Sequence, residues 1–449
     1  MTVKIAVIGG GSSMFVPGLV RRLVELKCFE GAELRLMDID EARLATMQVL
    51  SSQLAGSSGG QLNVLATTNQ REALKGADFV IVAISVGGMA AWASDIEIPA
   101  RHGIFMHIAD SVGPGGIMRS LRNTPIVTSV ARDVAEMAPD AIILNYTNPA
   151  SANALAMAQV DTVRSLSLCS CSPLPFNKEW LAEQVGVSQD LISLPLEVGG
   201  INHCTGIFSL RLTDGRDAIP LVRERTDNEI TRWAIDTFGV IPYCWTHWVE
   251  FFPQLQRLEE PYADRAQGLA MRYGRHVYDM DAQLERIRTW DELARSWSAA
   301  SGTRQLSDLP HGPEDEGIVV AEVMQSVVDD RKDLFVVNVM NGGGLIGNLP
   351  ATAAVEVPAI VDGEGIHPLG IPDLPPGLAA ALSLHAQVQA MTMQAALTGD
   401  RGLLRQAMLT DPLVAATLEP HEAEAMTDEL LEVNARYLPQ FASSTGGAA

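Results

Sequence analysis

The sequence predicts an α/β fold with a parallel sheet, and three observations near its start carry that prediction. Residues 3–8 form an apolar run broken only by Lys4, long enough for one buried parallel strand. A glycine-rich turn follows directly. Strand-like and helical patterns then alternate for about the first 200 residues. This alternation is typical of a parallel sheet covered by helices.

The glycine-rich turn predicts a dinucleotide site. A strand that ends in glycines and leads into a helix leaves free N–H groups at the positive end of the helix dipole, where a pyrophosphate binds. Asp38 ends a second strand, 32–37, where a carboxylate meets a ribose 2′-hydroxyl and repels a 2′-phosphate. The pair predicts NAD rather than NADP, although Met14 replaces the third glycine of the usual fingerprint. The expected cofactor-binding residues are Gly9, Gly11, Ser12, Ser13, Met14, Asp38, Ser85 and Asn145.

The remaining pattern divides the chain into two domains and a tail. We expect an NAD-binding domain at 1–200, a domain for substrate binding, catalysis and oligomerisation at 201–440, and a disordered tail at 441–449. Further strands are predicted at 62–66, 79–84, 141–144, 166–168, 192–198 and 334–339. Helices are predicted at 41–54, 71–75, 117–137, 227–238, 261–278, 280–298, 316–329 and 378–418, the last one interrupted at 398–400.

Composition excludes several classes of partner. The formal net charge of -22 argues against nucleic acid and against an anionic membrane surface. No run of eighteen apolar residues is present, and the apolar N-terminal stretch is the first strand rather than a signal peptide. The five cysteines, an odd number spread over a long chain, indicate free thiols in a reducing compartment. We therefore expect a cytoplasmic protein.

Three consecutive strands end in polar or metal-capable residues. Asn148 follows one strand, Cys169 follows the next, and His203 follows a third. Thiolate sulfur and imidazole nitrogen both bind borderline divalent ions such as manganese, iron, cobalt or zinc. The alternatives are a small buried cysteine and a structural histidine. Cys169 and His203 are the predicted metal ligands.

Ordered motifs link the chain to a known family. They are IGGGSSMF at 8–15, DIEIPARHG at 95–103, GPGGIMRSLRNTP at 113–125, NYTNPAS at 145–151, the Cys169 segment, GGINH at 199–203 and NGGGLIGNLPATAAVEVP at 341–358. In this order they resemble the NAD- and metal-dependent glycosidases of glycoside hydrolase family 4. The resemblance implies a Rossmann-type domain followed by a mixed α/β domain related to the lactate and malate dehydrogenases.

The resemblance also implies an oxidative mechanism, unlike the two-carboxylate route of most glycosidases. NAD takes a hydride from C3 of the sugar, and a divalent metal, most simply manganese, polarises the oxygens on C2 and C3. A base then removes the acidified C2 proton, the aglycone leaves, water adds, and the hydride returns. Cofactor and metal are thus used without net redox change.

Roles of further residues follow from the same resemblance. Asn148 and Asn202 orient sugar hydroxyls, while Asn145 either contacts the cofactor or shapes the turn that places Asn148. Asp110 is either a partner behind the metal ligands or a loop cap. Tyr243 and His247 both qualify as the C2 base, and His247 fits the alignment better. Ser170 stands where some members have an acidic general acid, although a serine hydroxyl is too weak an acid for that role. Cys171 is an alternative metal ligand.

The substrate class is partly readable. Members that cleave 6-phosphorylated sugars carry an arginine soon after the strand at 79–84, and this chain has no cation there before Arg101. We therefore expect a non-phosphorylated α-hexoside, with an anionic sulfoquinovoside or uronide as the narrower hypothesis. Arg101 and Arg119 are the predicted substrate cations, with His102 and Arg122 as further options. Arg119 otherwise pairs with the acidic 95–110 segment.

Two rival functions remain at this point: an NAD-dependent 2-hydroxy-acid dehydrogenase, and an NAD-sensing regulatory protein with an inactive site. The expected partners are a small glycoside and further copies of the chain, as a homodimer or homotetramer.

Overall fold

The computed structural model describes residues 2–57, 62–195, 197–257, 269–272, 275–278, 280–299 and 317–442. The strands are β1 (Lys4–Ile8), β2 (Glu33–Met37), β3 (Asn63–Thr67), β4 (Phe79–Val82), β5 (Ile142–Asn145), β6 (Arg164–Ser167), β7 (Ile192–Ser193), β8 (Val198–Ile201), β9 (Cys204–Ile207), β10 (Arg211–Leu212), β11 (Ile241–Pro242), β12 (Leu269–Arg272), β13 (Arg275–Tyr278), β14 (Asp333–Met340), β15 (Ala354–Asp362) and β16 (Gly365–Pro368). The helices are α1 (Val16–Glu25), α2 (Glu41–Ser57), α3 (Gln70–Leu74), α4 (Gly88–Arg101), α5 (Gly113–Met137), α6 (Ala150–Met157), α7 (Lys178–Val185), α8 (Ile219–Arg225), α9 (Glu229–Phe238), α10 (Trp245–Phe251), α11 (Met280–Ala299), α12 (Ile318–Val328), α13 (Pro376–Thr398), α14 (Arg401–Thr410), α15 (Pro412–Thr417) and α16 (Pro420–Asn434).

A single twelve-stranded sheet runs through both halves of the described chain. Its first six strands are parallel, in the order β3-β2-β1-β4-β5-β6 found in dinucleotide-binding folds. β14 joins β6 in antiparallel fashion at the pair Asn338 and Ser167. Strands β15, β8, β9 and β11 continue the sheet, all antiparallel, and β16 pairs with β15. The second half of the chain therefore continues the sheet directly beside β6, the last of the parallel strands.

The central strands are buried on both faces because helices cover each side. Ile5 and Val7 of β1 belong to the core packed against α1 and α12, while Ala6 and Ile8 belong to the core packed against α5. This alternation follows from the two-residue period of a strand. A fully buried parallel strand needs apolar residues at every position, as the first run of the sequence shows. The predicted α/β fold with a parallel N-terminal sheet and a mixed second half is confirmed.

Most predicted elements lie within two residues of the observed ones. α2 ends three residues after the predicted helix 41–54, and α5 begins four residues before the predicted helix 117–137. Three further elements differ more. The predicted helix at 261–278 is wrong over 269–272 and 275–278, because β12 and β13 pair there as antiparallel strands. The predicted strand at 192–198 is two short strands, β7 and β8. Helix 378–418 is three helices, α13 to α15, whose breaks are capped by the Asp400 and Asp411 carboxylates.

Other predictions are tested only in part. Several observed elements have no counterpart among the predicted ones, including α6, α7, α10, β15 and α16. Residues 261–268 of a predicted helix and 443–449 of the predicted tail lie outside the described residues. The division into domains at residue 200 stays a prediction. No helix in the described parts of the chain is long and apolar enough to cross a membrane.

A buried ion pair joins α4 to α5. Arg122 is 3% exposed and donates two hydrogen bonds to Asp95, which is fully buried, one of them 2.9 Å long. The same guanidinium donates to Asn434 Oδ1 at 3.1 Å, so it also holds α16. Burial raises the pKa of Asp95 to about 6, although the charge of Arg122 opposes that shift. Arg122, offered above as a substrate cation, is therefore occupied in the core.

We predict that Arg122→Met lowers the free energy of unfolding by about 3–5 kcal/mol at about pH 8, because it leaves the Asp95 carboxylate buried without its counter-ion. The matched control is Arg101→Met. Arg101 pairs with Glu429, and both side chains are more than a third exposed. Its loss should therefore cost less than about 1 kcal/mol. Urea unfolding followed by fluorescence measures both, and equal costs would contradict the assigned role of Arg122.

Candidate functional site

The structure brings together polar side chains from five segments beside the carboxyl edge of the parallel strands. Asn148 follows β5, and Cys169 follows β6. His203 lies in the turn between β8 and β9, His247 lies on α10, and Asp110 lies just before α5. This edge is where open α/β sheets bind their ligands.

Asp110 is the carboxylate at the centre of this group. It is 7% exposed, and its Oδ2 accepts a 2.7 Å hydrogen bond from Asn148 Nδ2. Its Oδ1 accepts a 2.9 Å bond from the hydroxyl of Ser111 and lies 3.3 Å from Nδ1 of His203. Burial alone would raise the pKa of Asp110, but the charges of His203 and His247 outweigh it and hold that pKa well below its usual range. Asp110 is therefore an anion that positions its neighbours.

His203 contacts both Asp110 and Cys169. Its Nδ1 lies 2.6 Å from the hydroxyl of Ser111, and the ring also forms a hydrogen-bonding contact with the Cys169 thiol. Burial would lower the pKa of His203, yet Asp110 and Cys169 raise it well above the ordinary value. The backbone φ of His203 is +71°, a left-handed conformation uncommon for this residue type. The predicted pair of Cys169 and His203 is thus brought into contact.

The arrangement behind His203 is one that metal-binding histidines use. A carboxylate that engages one ring nitrogen fixes the orientation of the ring and leaves the other nitrogen for an ion. Here Asp110 and Ser111 engage Nδ1, which leaves Nε2. Hydrogen bonds from Cys171 and Cys244 lower the pKa of Cys169 well below the ordinary value, against the effect of burial. The donor set therefore fits a borderline divalent cation.

His247 stacks on His203, with the ring centroids 3.6 Å apart and 23° between the ring planes. Its Nδ1 lies 3.6 Å from Asp110. Burial and the charge of His203 lower the pKa of His247 to about 4. His247 is therefore neutral at pH 7 and able to accept a proton.

Tyr243 belongs to a second polar centre, built around Glu356 of β15. Glu356 is 2% exposed and accepts hydrogen bonds from Tyr243 at 3.2 Å, from Asn202 at 3.1 Å and from Asn338 at 2.8 Å. Thr205 adds a fourth hydrogen bond. Burial raises the pKa of Glu356 and also that of Tyr243. Within the described residues, the Oδ1 of Asn202 has no partner and can accept a bond from a ligand.

The glycine turn after β1 has the geometry of an anion site. Gly9 has a φ of +98°, and a Cβ there would lie 2.1 Å from the carbonyl oxygen of Ala83. Asp38 Oδ2 accepts a 2.9 Å hydrogen bond from the N–H of Gly11. In the part of the chain that the structure describes, the N–H groups of Ser13 and Met14, just before α1, donate to no acceptor. They are available to a pyrophosphate.

The other predicted cofactor residues have different surroundings. The Ser12 hydroxyl accepts from the N–H of Phe15 at 3.2 Å, and the Ser13 hydroxyl donates to Asp291 of α11 at 2.6 Å. Ser85 is exposed after β4. Asn145 is fully buried and bonds to Thr147 and Ser167, so its side chain shapes the turn that leads to Asn148.

The predicted substrate cations separate in the structure. The Arg119 guanidinium lies 5.3 Å from the ring centroid of Trp92, and its charge helps to lower the pKa of Asp110. Arg101 lies at the exposed end of α4 and donates hydrogen bonds to the carbonyl oxygen of Glu97 and to the carboxylate of Glu429, away from the site. Ser170 is exposed directly beside Cys169.

Sequence reasoning gave no role to Glu250, Glu356 and Asn338. Each interrupts an apolar run, in WVEFF, VEVP and FVVNV respectively. A polar residue inside such a run is a usable signal for a buried, hydrogen-bonded group. Oε1 of Glu250 accepts bonds from the N–H groups of Ile108 and Ala109, at 2.7 and 2.8 Å. Glu250 thereby holds the turn that presents Asp110.

The titration of Glu250 predicts a change of stability with pH. Burial, with a contribution from Asp110, raises its pKa from 4.5 to about 7. A raised carboxyl pKa means that stability is lost as pH rises between these two values, by about 3 kcal/mol in total. Glu250→Gln keeps the acceptor oxygen and removes the titration. We expect equal stability of variant and wild type at about pH 4, and a more stable variant at about pH 8.5.

Urea unfolding at the two pH values measures this difference. Glu364→Gln, on an exposed turn, is the matched control and should change neither value. A Glu250→Gln variant that is less stable than wild type at the higher pH would contradict the prediction.

Comparisons with known proteins place the chain in a family. A family model described as family 4 glycosyl hydrolase matches residues 4–180, and the model of its C-terminal domain matches 198–414. An α-galactosidase of Rhizobium meliloti is 30% identical, with 99% of this chain and 91% of that protein covered. An α-galacturonidase of Lachnoclostridium phytofermentans is 27% identical over 98% of this chain and 97% of its own length.

A solved 6-phospho-α-glucosidase from gut microorganisms, in complex with NAD and Mn²⁺, has the same fold. It superposes with a TM-score of 0.80 at 20% identity and covers 98% of this chain and 100% of its own. The predicted resemblance and the glycosidase class are confirmed. The chain belongs to the family 4 glycosyl hydrolases.

Proposed function

We propose that this glycosidase depends on NAD and a divalent metal and cleaves a non-phosphorylated α-hexoside by oxidation at C3 and elimination across C2. The observation that carries the proposal is the contact of Cys169 with His203, with Asp110 behind the imidazole, beside the edge where the glycine turn lies. Sulfur and nitrogen ligands next to a dinucleotide site suit neither of the usual carboxylate-based mechanisms. They suit a reaction that combines a cation with hydride transfer.

Both cofactors fit the residues present. Cys169 and His203 would hold the cation, and Mn²⁺ in the solved 6-phospho-α-glucosidase supports that choice of metal. The N–H groups of Ser13 and Met14 would hold the pyrophosphate of NAD, and Asp38 would take the ribose hydroxyls. When bound, NAD accepts and returns a hydride, and the cation polarises hydroxyl oxygens of the sugar.

The chain's own groups then handle the protons. We assign His247 as the base for the C2 proton, since it is neutral at pH 7 and lies beside the predicted ligands. Tyr243 instead donates a hydrogen bond to Glu356, and its pKa is raised. We therefore give it a structural role, because Glu356 also holds Asn202. Asp110 keeps His203 and Asn148 in place. Asn148 and Asn202 orient the sugar hydroxyls.

The serine at position 170 leaves the general acid to another group. Its exposed hydroxyl cannot protonate a leaving group at neutral pH unaided. Ser170 therefore contributes at most a hydrogen bond to the aglycone. A solvent water that relays the proton would remove the need for an acid at this position. An aglycone whose hydroxyl group has a low pKa would do the same, because it leaves as an anion.

We further propose that the substrate is anionic, as a uronide or a sulfoquinovoside, and that Arg119 meets its charged group. Arg119 is the predicted cation whose charge reaches Asp110, whereas Arg101 and Arg122 pair with Glu429 and Asp95. The relatives named α-galactosidase and α-galacturonidase are consistent with a non-phosphorylated sugar. The five cysteines are all free thiols, which supports a reducing, cytoplasmic location. A homodimer or homotetramer stays part of the proposal.

Hydrolysis assays test the proposal. Nitrophenyl α-hexosides, uronides and sulfoquinovosides are incubated with NAD, Mn²⁺ and a phosphine reductant, with and without chelator. We expect hydrolysis that needs both additives, without build-up of NADH, and Cys169→Ser or His203→Ala should lower it at least about 100-fold. Cys28→Ser is the control, because it replaces a half-buried thiol between α1 and β2. Net NADH formed from hydroxy acids would instead indicate a dehydrogenase, and no turnover at all a sensor.

Two variants separate the candidate bases. His247→Gln should lower kcat about 10²–10⁴-fold and stop the exchange of the C2 proton with solvent deuterium, because it removes the proton acceptor. Tyr243→Phe loses one hydrogen bond to Glu356, which is worth about 1 kcal/mol of stability, and should keep the deuterium exchange. Product deuteration measured by mass spectrometry gives the answer, and loss of exchange only in Tyr243→Phe would reverse the assignment.

A further inference from the structure

Three cysteines form a cluster that extends beyond the predicted pair of metal ligands. Cys169 and Cys171 lie in the loop after β6, and Cys244 lies directly before α10. The three sulfur atoms lie within 4.8 Å of one another. The N–H of Cys171 donates to the sulfur of Cys169 at 3.5 Å, so the loop itself holds these two thiols on the same side.

The cluster is enclosed and reduced. Cys169 and Cys244 are 8% and 5% exposed, and Cys171 is half-buried. They come from two segments of the chain that are more than 70 residues apart, so the fold rather than the sequence assembles them.

Sulfur atoms at this spacing suit a tetrahedral thiolate site. A zinc–sulfur bond of about 2.3 Å places the sulfurs of such a site about 3.8 Å apart, which is within small side-chain rotations of the observed spacing. Three thiolates select soft d¹⁰ cations, whereas Mn²⁺ prefers oxygen and nitrogen ligands. A water would fill the fourth position, so that His203 stays outside the three-sulfur site.

We propose that Cys169, Cys171 and Cys244 form a three-sulfur site for a thiophilic d¹⁰ cation such as Zn²⁺ or Cd²⁺. Such a cation takes Cys169 into the thiol cluster and removes it from the pair with His203. On the proposed function, on which this consequence rests, the cation inhibits turnover by competing with the catalytic metal. Binding itself does not depend on that function.

Cadmium titration tests the site without any activity measurement. Apoprotein in phosphine reductant, without NAD or substrate, is titrated with Cd²⁺, and the ultraviolet thiolate-to-cadmium charge-transfer band is recorded. We expect one Cd²⁺ per chain with the intensity of three thiolates. Cys171→Ser and Cys244→Ser should each lose about one third of the band and bind at least about tenfold more weakly. Cys28→Ser should match wild type.

Protection against a thiol-alkylating reagent gives a second readout that needs only the wild-type chain. Peptide mapping should show Cys169, Cys171 and Cys244 protected by Cd²⁺, with Cys28 unprotected.

Two results would overturn the site. One is a charge-transfer band of equal size in wild type and in the Cys171→Ser/Cys244→Ser double variant. The other is protection of Cys169 alone.

The outcomes also separate this site from the proposed function. A three-thiolate band in a chain without hydrolytic activity would leave the site intact and refute the function. Manganese-dependent hydrolysis in a chain without the band would do the reverse. If both hold, Zn²⁺ should inhibit wild type and lose that effect in the two serine variants, which keep Cys169.

Discussion

The buried charge of Asp110 is the constraint on which the rest of the site depends. Removing a carboxylate from water is costly unless several groups bond to it, and Asp110 satisfies this requirement with Asn148, Ser111 and His203. These partners come from separate segments, so a single anion fixes the relative positions of a strand end, a hairpin turn and the loop before α5. Glu250 holds that loop from the other side through two backbone N–H groups. Because these partners satisfy Asp110, the geometry is set before any ligand arrives.

A second buried carboxylate, Glu356, ties strands of the antiparallel half of the sheet together. It lies on β15, opposite Gly200 of β8, and it bonds to Asn338 of β14. The strands that it joins carry the turn with Asn202 and His203. Asp110 therefore orients the imidazole of His203 directly, while Glu356 holds together the strands that carry the turn of His203. The opposite pKa shifts of the two carboxylates agree with this division, since the charge of His203 lies beside Asp110, whereas neutral donors bond to Glu356.

The sequence predicted those parts of the structure that local patterns encode. The parallel strands, the glycine turn and the alternation of strand and helix depend on runs of neighbouring residues, and they were placed within about two residues. Asn148 and Cys169 were predicted to lie at one edge because they follow neighbouring parallel strands. His203 lies in the turn of an antiparallel hairpin, so the convergence of parallel strands does not explain its position. The sequence did not reveal the cysteine cluster, the Glu356 centre or the pairing of Arg122 with Asp95. Each joins residues far apart in the chain, and only the tertiary fold sets such distances. Arg101 and Arg122 looked equivalent as cations, yet burial separates them.

His203 and His247 carry the same chemical group, but their stacked imidazoles have different protonation states. Two cations with ring centroids 3.6 Å apart repel strongly in a buried site, so one positive charge excludes the other. Asp110 lies closer to His203, at 3.3 Å against 3.6 Å, and Cys169 adds to the preference, which leaves His247 neutral. A cation held by His203 would exert the same repulsion on His247. His247 thus stays deprotonated at neutral pH at the cost of basicity. On the proposed function a weak base would suffice, because the proton to be removed would lie next to a carbonyl group and would already be acidic.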